Sequence, residues 1–259
     1  DALLSRGLGD VYKRQDDKVK AFICTKDLKD DEYINNHYVI MATKRGQVKK
    51  TSLEQYSRPR VNGINAITIK EDDELLEAKL TDGNSQVMLA LKSGKAIRFE
   101  EAKTRPMGRN ASGVRGIRLQ HDKDEVIGMV AVNDMESNIL VVSSNGYGKR
   151  SRLEDYRITN RGGKGVKTIS ITEKTGDLVA IKNVDDSNGL MIINKSGIAI
   201  RMAVEDLRVM GRATQGVKLI NIKDGDSIAA VAKVIHEKDE EQHNEELEST
   251  EENNTNSEQ

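Results

Sequence analysis

The chain has 259 residues, 36% hydrophobic and 32% charged, enough to bury a substantial core in one domain or two. Its longest apolar runs, such as those at 139–142 and 190–193, are strand-length; they fall far short of the ~20 residues needed to cross a bilayer, so no membrane association is expected. The single cysteine, Cys24, excludes a disulfide framework and a cysteine-rich zinc site and fits a cytoplasmic compartment, while the net charge of −1 conceals −9 from His236 onward and +8 elsewhere.

In chain order, residues 1–15 (DALLSRGLGDVYKRQ) match nothing that follows and are set aside as a leader foreign to the fold. Residues 16–31 contain KVKAFICTKDL, which reads as the closing strand of a β-unit. Four similar units follow, at about 36–83, 84–134, 135–186 and 187–235. Each opens with a β-like run, turns at a glycine and continues into a basic stretch: YVIMATKRGQVKK, QVMLALKSGKAIR, NILVVSSNGYGKR and GLMIINKSGIAIR.

The turn glycines Gly46, Gly94, Gly146 and Gly197 are 48, 52 and 51 residues apart, and four positions after each stands a cation: Lys50, Arg98, Arg150 and Arg201. Lys149 adjoins Arg150. A second landmark, Gly63, Gly113, Gly165 and Gly216, repeats at 50, 52 and 51 residues, each glycine followed by a β-branched residue. In the last three units an arginine precedes it by four (Arg109, Arg161, Arg212) and a cation follows it by two (Arg115, Lys167, Lys218). One of these loops, N-R-G-G-K-G-V-K at 160–167, combines Arg161 and Lys164 with Gly162, Gly163 and Gly165. Such a loop is either a solvated turn or a phosphate cradle, because glycine allows close backbone approach and lysine and arginine contact phosphate oxygens.

Helical periodicity is confined to single turns near Glu100 and Arg152. The expected fold is therefore all-β: a β-propeller-like pinwheel of about four complete four-stranded blades plus the remnant of a fifth, spanning 16–235. Residues 236–259, rich in Glu, Asn, Ser and Thr, are expected to form a disordered acidic tail. Tyr56 and Tyr156 occupy equivalent positions where the fourth unit has Leu207, which indicates packing.

Enzyme chemistry is not signalled. There is no G-x-x-x-x-G-K-[ST] or H-E-x-x-H, the four histidines are scattered, and the acidic group at 71–74 reads as a solvated turn, so no metal site is expected. Cations recurring at one place in each unit would instead form a stripe along which DNA phosphates run, with the alternative that they only keep strand edges soluble.

The series EDDELLEAKLTDG, GYGKRSRLEDYR, NRGGKGVK and GRATQGVKLI, within about residues 17–235, resembles the C-terminal DNA-wrapping domain of the DNA gyrase A protein, a type II topoisomerase component. The resemblance implies a β-pinwheel that wraps duplex DNA without sequence preference, in support of ATP-dependent negative supercoiling. It implies partners in the rest of the gyrase A protein and in the gyrase B protein. It places no cofactor and no catalytic residue in this segment, because the tyrosine nucleophile, ATP and Mg2+ belong to other parts of the parent enzyme. It also implies an N-terminally truncated fragment, since the family's Q-R-R-G-G-K-G box of the first blade is absent. Thr159–Gly165 keeps only the last five residues of that box. The corresponding domain of the topoisomerase IV A protein and a protein-binding propeller are the alternatives.

Overall fold

The computed structural model describes residues 18–223 and 225–235. The expectations for residues 1–15 and 236–259 lie outside the described residues. Contacts divide the chain into two compact units, one reaching Asn133 with Arg157–Val166, the other comprising Asp134–Tyr156 and the residues from Lys167.

In the first unit, a short helix α1 (Asp31–Asn36) precedes strands β1 (Tyr38–Thr43), β2 (Gln47–Ser52) and β3 (Leu75–Thr81), then β4 (Gln86–Leu91), β5 (Lys95–Glu100), β6 (Val114–Arg115) and β7 (Val126–Val132). In chain order after these come β8 (Asn138–Ser143), β9 (Tyr147–Arg152), β10 (Val166–Lys167), β11 (Leu178–Val184), β12 (Asn188–Asn194), β13 (Ala199–Ala203), β14 (Val217–Lys218) and β15 (Ile228–Ile235). α1 was not expected from the sequence. Its start is fixed by Asp30, whose carboxylate accepts from the Glu32 and Tyr33 N–H groups, an N-cap visible in D-D-E-Y.

Each repeat builds a hairpin first. YVIMAT, QVMLAL and NILVVS are buried along almost their whole length, so they lack the polar alternation of a half-exposed strand. The turn glycines close these hairpins with φ of 78–88°, which Cβ-bearing residues adopt only at a steric cost. The short basic strands β2, β5 and β9 pair back on β1, β4 and β8, and β3, β7 and β11 close the other edge.

The sheet orders are β3-β1-β2-β6, β10-β5-β4-β7, β11-β8-β9-β14 and β13-β12-β15. The outer strand of each of the first three sheets thus comes from the following repeat, an exchange that the repeat boundaries drawn on the sequence do not show. The fourth sheet carries three strands among the described residues. Single 3-10 turns at Leu53–Tyr56, Glu101–Lys103 and Leu153–Asp155 follow β2, β5 and β9, two of them where helical turns were expected.

The apolar core lies within the sheets of each unit. Ile40, Val48, Leu89, Ile97, Phe99 and Ile117 form one cluster of the first unit, and Leu140, Val142, Leu190, Ile192 and Leu207 belong to that of the second. Tyr156 is fully buried, its hydroxyl 2.5 Å from Thr168 Oγ1, and Leu207 is buried, in keeping with their expected packing role. The KVKAFICTKDL segment departs from expectation. Ala21, Ile23 and Leu28 pack on a cluster around Val39 and Leu53, but residues 18–28 form no strand.

Candidate nucleic-acid interface

Three two-residue outer strands carry the cations that follow the second landmark glycine. β6 pairs antiparallel with β2, placing Arg115 opposite Gln47, and β14 pairs with β9, placing Lys218 opposite Tyr147. β10 takes the same place beside β5. Arg115, Lys167 and Lys218 are all exposed. The glycine before each strand is required by close approach: a Cβ on Gly113 would lie 2.6 Å from the Val48 carbonyl oxygen, and one on Gly165 2.6 Å from that of Ala96.

The cations four positions past the turn glycines require a correction. Lys50, Arg98 and Arg150 are only 4%, 7% and 7% exposed and cannot line a phosphate track. Lys50 Nζ lies 2.9 Å from Glu101 Oε1, Arg98 Nε donates to Gln86 Oε1 at 2.6 Å, and Arg150 donates to the Leu207 carbonyl and to Asp186. Burial comes from the next repeat, whose loop crosses them in parallel bridges Lys50↔Pro106, Arg98↔Ile158 and Arg150↔Val209. Met107, Thr159 and Met210 donate their N–H groups to the Lys50, Arg98 and Arg150 carbonyls at 2.8, 2.9 and 2.8 Å. Arg201, in the fourth sheet, is exposed.

Arg161 and Arg212 prove to be clamps. Arg161 donates through Nε to the Lys103 carbonyl (3.0 Å) and through Nη1 to that of Arg115 (3.2 Å). Arg212 repeats this on Asp155 (3.0 Å) and Lys167 (2.7 Å). Each guanidinium therefore fastens a 3-10 turn to the outer strand that carries an exposed cation. A fork of fixed donors can do this and a lysine point charge cannot. Arg161→Lys is accordingly expected to lose about 1–2 kcal/mol of folding stability, nearly as much as Arg161→Ala, whereas Lys164→Ala leaves stability unchanged; denaturant titration of the three variants checks this.

Within the 160–165 loop, Gly162 has φ 81° and its N–H donates to the Gly116 carbonyl at 2.6 Å, while the Gly163 carbonyl accepts from Arg118 N at 2.8 Å. These two backbone groups fix the loop instead of facing a ligand. Lys164 is exposed. Arg109 is half-buried, and its carbonyl accepts from Lys49 Nζ.

Lys149, expected at the interface, is 1% exposed, and its Nζ donates to the Gly211 carbonyl (2.6 Å) and Thr214 Oγ1 (3.0 Å). Lys49 is its counterpart, donating to the Ala66 and Arg109 carbonyls. Burial above all, then nearby Arg212 or Arg109, lowers both ammonium groups from an ordinary 10.5 to about 8. The unfolded chain binds these protons more tightly, so stability is reduced below pH 8 and recovers as pH rises towards 10.5. Tyr156, pushed up to about 12 chiefly by burial, opposes this only above its ordinary 10.0. Wild type is therefore expected to gain stability from pH 8 to 10 relative to the Lys49→Met, Lys149→Met double variant in isothermal denaturation.

A set of cations missed in the sequence reading stands one residue before each bridge position: Arg105, Arg157 and Arg208, with Arg58 in the first repeat. All four are exposed, and their side chains hold no hydrogen bond or ion pair among the described residues. Their spacings of 47, 52 and 51 residues were a legible signal. Arg157 and Lys164 line a cavity of about 210 Å³ with Asn160 and Gly165. The acidic group at 71–74 is engaged locally, since Glu74 pairs with Lys20 (2.8 Å) and Lys44 (3.3 Å) and Asp73 accepts from Arg45 N.

The family model described as DNA gyrase C-terminal domain, beta-propeller, matches residues 37–82, 87–133, 137–185 and 190–235. The chain belongs to this family. The DNA gyrase A protein of Staphylococcus epidermidis (strain ATCC 12228) is 43% identical over 230 residues, covering 88% of this chain and 25% of that protein. The DNA gyrase A protein of Staphylococcus aureus (strain MRSA252) is 42% identical over 236 residues, 91% of this chain and 26% of that protein. The chain thus spans about a quarter of the length of these curated gyrase relatives. Among solved structures, the C-terminal domain of DNA topoisomerase IV aligns with TM-score 0.73 and 24% identity, over 77% of this chain and 62% of that one. The gyrase A C-terminal domain aligns with TM-score 0.70 and 23% identity, over 78% and 67%. These two likenesses establish the fold. No helix among the described residues is long and apolar enough to span a membrane.

Proposed function

We propose that this chain binds duplex DNA without sequence preference and bends it, as the DNA-wrapping part of a cytoplasmic DNA gyrase. The observation that carries this reading is the exposed cation two residues past the landmark glycine on each of three successive two-residue outer strands, in a chain of the gyrase C-terminal family. Arg105, Arg157 and Arg208 add a second exposed series. Bending 20–30 base pairs by 40–90° costs about 1–6 kcal/mol, so contacts from several repeats must act together.

In this reading the chain needs no cofactor. Cleavage, ATP and Mg2+ belong to the rest of the gyrase A protein and to the gyrase B protein, its partners, and the chain alone does not cut DNA. Fluorescence anisotropy with a random-sequence duplex tests the reading. With about six phosphate contacts, affinity is expected to fall about 10³-fold between 50 and 200 mM salt and to be indifferent to duplex sequence. A flat salt response would sink it.

A further inference from the structure

We infer that Pro106, Ile158 and Val209 are wedges, each pressing between two base pairs of duplex DNA from the minor-groove side while the arginine before it enters that groove. The inference rests on the DNA-bending reading above and adds how the bend is made.

The three residues stand at the same place in successive repeats, in the pairs Arg105 with Pro106, Arg157 with Ile158 and Arg208 with Val209, the apolar members 52 and 51 residues apart. Their surroundings repeat as well. The residue before each arginine, Thr104, Tyr156 or Leu207, is buried. The apolar residue bridges Lys50, Arg98 or Arg150 in parallel, and the residue after it donates its N–H to that same strand residue's carbonyl. Each two-residue step is thus held at both ends on a fixed backbone.

An extended chain sends alternate side chains to opposite faces, so the residue after an exposed arginine should turn inward. Instead, arginine and apolar residue are exposed together in all three repeats, and Ile158 and Val209 remain 47% and 42% exposed. A single exposed apolar side chain is ordinary on a protein surface. Here the same exposure recurs three times on the same pinned backbone, each time beside a guanidinium without a partner among the described residues.

The residue types fit a wedge. A proline ring and the β-branched side chains of isoleucine and valine are stiff, so ordering them against DNA sacrifices little side-chain freedom. Proline and isoleucine are among the side chains that partly unstack base steps, and arginine is a cation that a narrow minor groove attracts. Partial unstacking turns a smooth bend into local kinks that single repeats can hold. Pyrimidine–purine steps unstack most easily; mixed-sequence duplexes contain them, so affinity stays indifferent to the sequence chosen while the wedges select their steps within it.

The test uses the whole chain and a mixed-sequence duplex of about 30 base pairs, with 2-aminopurine in place of adenine at its TA steps and a donor and an acceptor dye at its ends. Wild type is expected to raise 2-aminopurine fluorescence at least about twofold and to bring the duplex ends together. The triple variant Pro106→Ser, Ile158→Ser, Val209→Ser is expected to lose the fluorescence rise and most of the approach of the ends. Its salt slope should stay within about 0.5 of wild type, because an apolar side chain neutralises no phosphate. The double variant Ile158→Leu, Val209→Leu keeps the apolar bulk and should retain the rise. An unchanged thermal midpoint shows that the serine variant folds; should the midpoint fall, Ile158→Ser alone decides by the same readouts. Wild type that binds and bends without a rise, or a folded serine variant that keeps the full rise, overturns the wedges and leaves the DNA-bending reading standing. Wild type that does not bind overturns both.

Discussion

Lys50→Met is expected to lower folding stability by about 3–5 kcal/mol while leaving DNA affinity of the folded fraction unchanged. The ammonium is the partner of Glu101, which is 0% exposed; Glu101 Oε1 also accepts from Thr81 Oγ1 at 2.8 Å, and its Oε2 has no partner. Lys50 Nζ further lies 4.0 Å from the Tyr38 ring centroid. Removing the lysine strands a carboxylate in the interior, a cost much larger than the net value of the pair. Replacing Glu101 by leucine in the same chain should restore most of the loss, because a buried pair and an apolar pair of similar volume are nearly equivalent. Denaturant midpoints for the single and double variants decide it. A single-variant loss below about 1 kcal/mol, or a matching loss of DNA affinity, would return Lys50 to the interface.

The second large effect concerns binding. The triple variant Arg115→Ala, Lys167→Ala, Lys218→Ala is expected to lower the slope of log affinity against log salt by about 3, since each neutralised phosphate contributes about 0.9. Over a fourfold rise in salt its affinity should therefore fall about 40-fold less than that of wild type. All three side chains are exposed, so folding stability should change by no more than about 0.5 kcal/mol per site. An unchanged slope would move the phosphate track to Arg105, Arg157 and Arg208 and exclude the outer-strand cations.

The sheets were legible in the sequence because hairpin formation is local: a buried apolar run, a left-handed glycine and a basic return strand lie within about fifteen residues. The family resemblance could be read from the same periodic landmarks. What was not legible is which side of a strand the next repeat covers. Lys50, Arg98 and Arg150 recur as regularly as Arg115, Lys167 and Lys218, and periodicity alone cannot tell a cation kept for packing from one kept for a ligand. The difference arises at distances of about fifty residues along the chain, where the following loop lies over the first set and leaves the second in solvent. The same blindness hid the clamp role of Arg161 and Arg212, whose acceptors are main-chain carbonyls with no signature in side-chain identity.

Lending an outer strand backwards interlocks neighbours in a fixed order. A ribosome that has just released β9 has made only a hairpin; β11 closes one side some thirty residues later, and only after some sixty does β14 arrive to seal the other. Deleting one repeat injures two sheets, its own and the one before it, so damage in such an array is felt upstream of the lesion.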